Sequence, residues 1–150
     1  MNIFKTLKTA DIVTLAGLVT GMLSILYALQ KMFVVSACFL LLAVVFDALD
    51  GIVARKKKQA NVFGRELDSL SDLVSFGVAP AVFGFQLGLQ DLFSVIVIVA
   101  FVVAGALRLC RFNVTSEKGY EGIPITLNGI LFPLLFFISF AVPFQLWSYT

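Results

Sequence analysis

Apolar positions dominate this chain in five long runs, broken by short polar intervals: roughly residues 12–30, 32–54, 68–90, 91–111 and 125–147. Each run reaches the length of about 20 residues that a helix needs to cross the hydrocarbon core of a bilayer. Only helices and closed barrels satisfy their backbone polar groups there. The pattern therefore predicts an all-α, polytopic transmembrane helix bundle with five spans, forming a single domain over residues 1–150. Ahead of the first run, Ile3, Phe4 and Leu7 alternate with Lys5 and Lys8, so residues 2–8 are expected to form a short amphipathic segment on the membrane surface. A secretory signal would also begin with lysines. This run, however, continues too long for an h-region and lacks an A-x-A-like cleavage site, so it reads as a retained helix.

Composition agrees with a chain in lipid: 60% of residues are hydrophobic and only 13% charged, against about 25% charged in soluble domains. With the N-terminus in the cytoplasm, Lys5, Lys8, Arg55, Lys56, Lys57, Lys58, Arg65, Arg108, Arg111 and Lys118 fall inside and Lys31 falls outside. That is the positive-inside bias. The net charge of +2 therefore reflects topology and gives no reason to expect nucleic acid as a partner. Trp147 and Tyr149 suit the outer interface. Cys38 and Cys110 lie in separate spans and, with no His and no C-x-x-C, form no zinc signature. Gly17 and Gly21 make a G-x-x-x-G spacing that predicts close helix packing, and Pro80 predicts a kink or break in the third span. The polar connections 56–67 and 112–124 are expected to be long loops on the cytoplasmic side.

Against that background, Asp47, Asp50, Asp68 and Asp72 are conspicuous. A charge near the bilayer core costs roughly 2.5–3.5 kcal/mol on insertion scales, so four carboxylates need a compensating ligand. Asp47 and Asp50 are three residues apart and Asp68 and Asp72 four apart, which puts each pair on one helix face. If the second and third spans are antiparallel neighbours, Asp47 and Asp72 form a deeper layer and Asp50 and Asp68 a layer nearer the surface. Four carboxylates without a soft donor favour a hard divalent cation, Mg²⁺, Mn²⁺ or Ca²⁺, and two ions could fit. Mg²⁺ usually shares its shell with phosphate oxygens. Gly51 leaves room for close approach of a ligand, and Arg55 supplies a fixed cation one turn on. A metal-dependent diphosphate site at a membrane surface follows.

The spacing D-x2-D-G-x2-A-R-x8-G-x3-D-x3-D, formed by Asp47, Asp50, Gly51, Ala54, Arg55, Gly64, Asp68 and Asp72, resembles the complete signature of the CDP-alcohol phosphotransferase family. The resemblance implies a membrane enzyme that transfers a phosphatidyl-type group from a CDP-linked lipid to an alcohol and releases CMP. It implies that Asp47, Asp50, Asp68 and Asp72 hold two divalent cations, Mg or Mn, and that Asp72 is also the general base. It further implies that Asp47, Asp50, Gly51, Ala54, Arg55, Gly64 and Asp68 line the CDP-lipid site. Six spans and a homodimer are usual in the family, and five spans are visible here.

A second segment, Arg108-Leu109-Cys110-Arg111-Phe112-Asn113, is similar to the R-L-x-R-F-N stretch of membrane-integral phosphatidylserine synthases, and Gly122-Ile123-Pro124 to their G-[LI]-P segment. Asp11-Ile12-Val13-Thr14-Leu15 is similar to archaeal members. These likenesses imply L-serine as acceptor and CDP-diacylglycerol or CDP-archaeol as donor, at a cytoplasm-facing site in the cell membrane. Arg108 and Arg111 are candidates to bind the serine carboxylate or a phosphate, and Asn113 to assist. Glycerol phosphate or inositol phosphate would suit two arginines as well. Simple topogenic arginines, a helix-capping Asn113 and, remotely, a small cation-coupled transporter are the alternative readings.

Overall fold

The computed structural model describes residues 8–57, 62–114 and 125–141. Every element among them is helical: α1 (Thr9–Leu29), α2 (Phe33–Lys57), α3 (Val62–Asp72), a π-helical turn (Leu73–Val78), α4 (Ala79–Gln86), α5 (Leu92–Val114) and α6 (Leu127–Ala141). Three helical stretches, Thr9–Leu29, Phe33–Ala54 and Leu92–Val114, are long and apolar enough to cross a membrane, and Leu127–Ser139 is a shorter apolar stretch. Residues 2–7, Lys58, Lys118, Gly122, Ile123, Pro124, Trp147 and Tyr149, on which several expectations rest, lie outside the described residues.

Contacts fix the directions of the passes. Thr14 of α1 meets Asp50 of α2, while Ser24 higher on α1 meets Ser36. These two helices therefore form an antiparallel hairpin. Its turn closes with Met32 N–H donating to the Tyr27 carbonyl at 2.9 Å and Lys31 N–H donating to that of Ala28 at 2.9 Å. That is a Schellman arrangement, and Lys31 takes the left-handed conformation (φ 60°) that it requires. Ser71 and Ser75 donate to the carbonyls of Thr14 and Gly17, so the third pass runs parallel to α1. Asn113 at the end of α5 accepts from Ser69, bringing the chain back to the level of Asp68 and Asp72.

The G-x-x-x-G spacing does what a small-residue seam does. A Cβ on Gly21 would stand 2.9 Å from the Cα of Ser75, so the α1 backbone touches the π-helical turn directly. Below the acidic end, Ala43, Phe76 and Ile125 pack with Val44 and Leu109. Toward the other end, Ala28, Ala37, Leu40, Ala79, Phe83 and Phe136 form a second core, with Phe83 and Phe136 edge-to-face at 5.5 Å. No residue of α5 is buried, and its Leu92, Phe93, Ile96, Val99, Val103 and Leu107 face outward, as lipid-facing side chains do.

Two expectations change. The third pass is helical from Val62 to Gln86 rather than over 68–90. The polar stretch Val62–Asp72 alternates as an amphipathic helix, which a search for apolar runs passes over. Consequently Lys56, Lys57 and residues 62–67 of the expected 56–67 loop are helical. The break expected at Pro80 is a π turn just before it. Pro80 has no N–H for the Phe76 carbonyl, and Ala79 N–H reaches back five residues to Val74.

Candidate active site

Helices α2 and α3 carry the four aspartates to one end of the bundle. Ligand oxygens of Asp47, Asp50 and Asp68 all lie within 4.8 Å of one another. Asp72 meets Asp47 at hydrogen-bonding range, forming the deeper pair that the spacing implied. Asp50 is enclosed from the side as well as along the helix axis. It is only 7% exposed, because α1 covers it. The Thr14 hydroxyl donates to Asp50 Oδ2 at 2.7 Å, and Asp11, one turn earlier on α1, is also buried and accepts the Lys8 N–H at 2.8 Å. Across the cluster, the Thr126 hydroxyl, in the turn before α6, reaches Asp47.

These geometries suit a hard cation. Two oxygens on opposite sides of a Ca²⁺ stand about 4.6–5.2 Å apart and of a Mg²⁺ about 4.2 Å apart, so small rotamer adjustments of three carboxylates spanning 4.8 Å accommodate either. Three like charges at that separation repel one another by roughly 3 kcal/mol per pair at an effective dielectric of about 20. A divalent ion bound among them removes that repulsion. Next to the cluster, a narrow pocket is lined by Thr14, Gly17, Ala43, Asp47, Asp50, Ser71, Asp72, Ser75 and Phe76. Its walls come from α1, α2 and the third pass.

The remaining signature positions follow from the same helices. Gly51 and Ala54 continue α2 beside Asp50 and are half-buried, and Gly64 is half-buried in the first turn of α3. Arg55 lies on α2 one turn beyond Gly51, with its side chain outside the described set. Arg108 is half-buried and Arg111 exposed in the last turns of α5. Asn113 accepts the Ser69 hydroxyl at 3.1 Å, which ties it to the residue after Asp68. Thr14 and Thr126 are the contacts that spacing did not reveal. Thr14 sits in the segment similar to archaeal members, and Thr126 two residues after Pro124, but only packing brings either hydroxyl to an aspartate.

Membrane-length apolar helices with a carboxylate cluster able to hold a metal ion at one end of the bundle define an integral membrane protein built around that cluster. The chain belongs to the CDP-alcohol phosphatidyltransferase family, whose model matches residues 7–149. It is 40% identical over 130 residues to the CDP-diacylglycerol–serine O-phosphatidyltransferase of Methanocaldococcus jannaschii, covering 87% of this chain and 61% of that protein. The Saccharomyces cerevisiae protein of the same name is 39% identical over 142 residues, covering 83% of this chain and 51% of the relative. The archaetidylserine synthase of Methanothermobacter thermautotrophicus is 36% identical over 135 residues, covering 87% and 58% respectively. The chain thus spans about half to three fifths of the length of these curated relatives.

Proposed function

We propose that this chain transfers a phosphatidyl or archaetidyl group from a CDP-linked lipid to the hydroxyl of L-serine, with release of CMP. The observation that carries the reading is the convergence of Asp47, Asp50 and Asp68 within 4.8 Å, with Asp72 lining the adjoining pocket. The names of the relatives support serine as acceptor.

In the proposed reaction the serine hydroxyl oxygen forms a bond to the phosphorus attached to the lipid. The bond from that phosphorus to the bridging oxygen breaks, and CMP leaves with the electron pair. Asp72 accepts the hydroxyl proton as general base. Asp47, Asp50, Asp68 and Asp72 hold two Mg²⁺ or Mn²⁺ ions, with Ca²⁺ a further possible occupant. Bound there, the cations supply positive charge against the diphosphate and the departing phosphate. Gly51, Ala54, Arg55 and Gly64 line the cytidine diphosphate side, with the small residues allowing the ligand to approach the helix backbone. Arg108 and Arg111 take the serine carboxylate, and Asn113 is held beside the site by Ser69. The lysine and arginine distribution supports a site facing the cytoplasm in the cell membrane. Association as a homodimer is part of the same proposal.

The test is purified protein in detergent with Mg²⁺ or Mn²⁺, a CDP-lipid and a panel of serine, glycerol phosphate and inositol phosphate. CMP release that depends on serine is expected. Release with a phosphorylated acceptor alone would reassign the acceptor, and no release with any would overturn the enzymatic reading.

A further inference from the structure

Thr14 lies outside the acidic signature, yet it touches both helices that carry it. Its side chain reaches α2, donating to Asp50 Oδ2 at 2.7 Å. Its main chain reaches α3, where its carbonyl accepts from Ser71, the neighbour of Asp72, at 3.2 Å. Both Thr14 and Asp50 are buried, at 5% and 7% exposure, so bulk water competes poorly for either group. A threonine hydroxyl has one hydrogen to give. The Ala10 carbonyl, at 3.2 Å, offers the usual intrahelical acceptor. The shorter bond to an ionisable oxygen is the stronger of the two.

We propose that Thr14 is a positioning residue for Asp50, fixing the orientation of its carboxylate toward Asp47 and Asp68 so that the three acids are preorganised for a divalent cation. This rests on reading the aspartates as metal ligands. The Gly51 backbone N–H also reaches the Asp50 carboxylate, but without the larger Thr14 contribution its broad terminal torsion is less restrained and must be reordered further when a cation binds. Outer partners of this kind typically contribute 10–100-fold in metal affinity. The seryl bond to the Thr14 carbonyl adds registry, since it ties the depth of α1 to that of the Asp72 turn.

The test is Mn²⁺ binding to the full purified chain in detergent, followed by electron paramagnetic resonance without substrate and compared among wild type, Thr14→Val and Thr14→Ser. Valine keeps the shape and removes the hydroxyl, whereas serine keeps the hydroxyl. The expected result is about tenfold weaker binding for Thr14→Val, with Thr14→Ser close to wild type. Should valine prevent folding, Thr14→Ala removes the hydroxyl without new bulk and is expected to show the same loss. Wild-type affinity in a hydroxyl-free variant, or equal weakening by valine and serine, would overturn the inference. Absence of saturable Mn²⁺ binding in the wild type would overturn it together with the metal reading. Mn²⁺ binding weakened in Thr14→Val and kept in Thr14→Ser, without CMP release from any acceptor, would support the inference while refuting the proposed transferase function.

Discussion

Replacing Gly21 with alanine puts a methyl group where α1 and the π-helical turn are in backbone contact. The new Cβ would lie 2.9 Å from both Cα and Cβ of Ser75, whereas carbon atoms rest at about 3.5–4.0 Å. The two segments must separate by roughly 0.6 Å or more. Two hydrogen bonds run along the same seam, Ser75 Oγ to the Gly17 carbonyl at 3.3 Å and Ser71 Oγ to that of Thr14 at 3.2 Å. Both are already long for a hydroxyl donor, and that displacement breaks them. Overpacking of about 1–3 kcal/mol and loss of two bonds at about 0.5–1.5 kcal/mol each give a destabilisation on the order of 3 kcal/mol. Gly17 is the internal control. A Cβ there meets Phe46 Cβ at 3.4 Å and the Ser71 hydroxyl at 3.9 Å, ordinary contacts, so Gly17→Ala should cost less than about 1 kcal/mol. Thermal unfolding of the two variants in detergent, read by loss of the monodisperse chromatographic peak, should separate them clearly. Adding Ser75→Gly to Gly21→Ala removes the clashing Cβ and hydroxyl and should recover part of the loss. Equal midpoints for Gly17→Ala and Gly21→Ala would refute the close-approach argument.

Other substitutions probe the chemistry and the helix ends. Asp72→Asn should abolish turnover, by at least about 100-fold if Asp72 is the base, while CDP-lipid binding persists in equilibrium dialysis; retained turnover would place the proton elsewhere. Arg108→Ala should raise the KM for serine more than it lowers kcat, and an effect confined to CDP-lipid would reassign the arginine to phosphate binding. Asp91, ahead of α5, accepts the Ser94 hydroxyl at 2.6 Å and the Ser94 amide at 3.0 Å, and these bonds hold its carboxyl below the usual range. Its stabilising contribution is present above about pH 4 and fades as pH falls through the depressed value. The Tm gap between wild type and Asp91→Ala should therefore narrow on acidification from about pH 6 to about pH 3, and a gap that widens would contradict the assigned bonds.

The aspartates were legible because helix periodicity is a local rule: spacings of three and four put each pair on one face, and α2 and α3 deliver both faces to one end of the bundle. The burial of Asp50 was not legible. It depends on α1 lying across that aspartate, and Thr14 is 36 residues away in the chain. Thr126 poses the same difficulty, since a hydroxyl in a turn has no periodicity to announce its partner. Pro80 announced an irregularity, but its form, a π turn over Leu73–Val78, is seen in the Ala79 amide reaching back to the Val74 carbonyl. The polar helix Val62–Asp72 escaped notice because hydropathy marks what enters lipid rather than what is helical. Gly17 and Gly21 suggested a close seam, and the contact with Ser75 identifies the backbone on its other side.

Incorporation of labelled serine into a lipid-soluble product, measured alongside CMP, tests the central claim most directly. Purified wild-type chain with a CDP-lipid and Mn²⁺ should form both products in equal amounts. A chelator or the Asp47→Asn, Asp50→Asn double substitution should abolish both. Serine incorporation that is indifferent to metal removal and to those two aspartates would contradict the account.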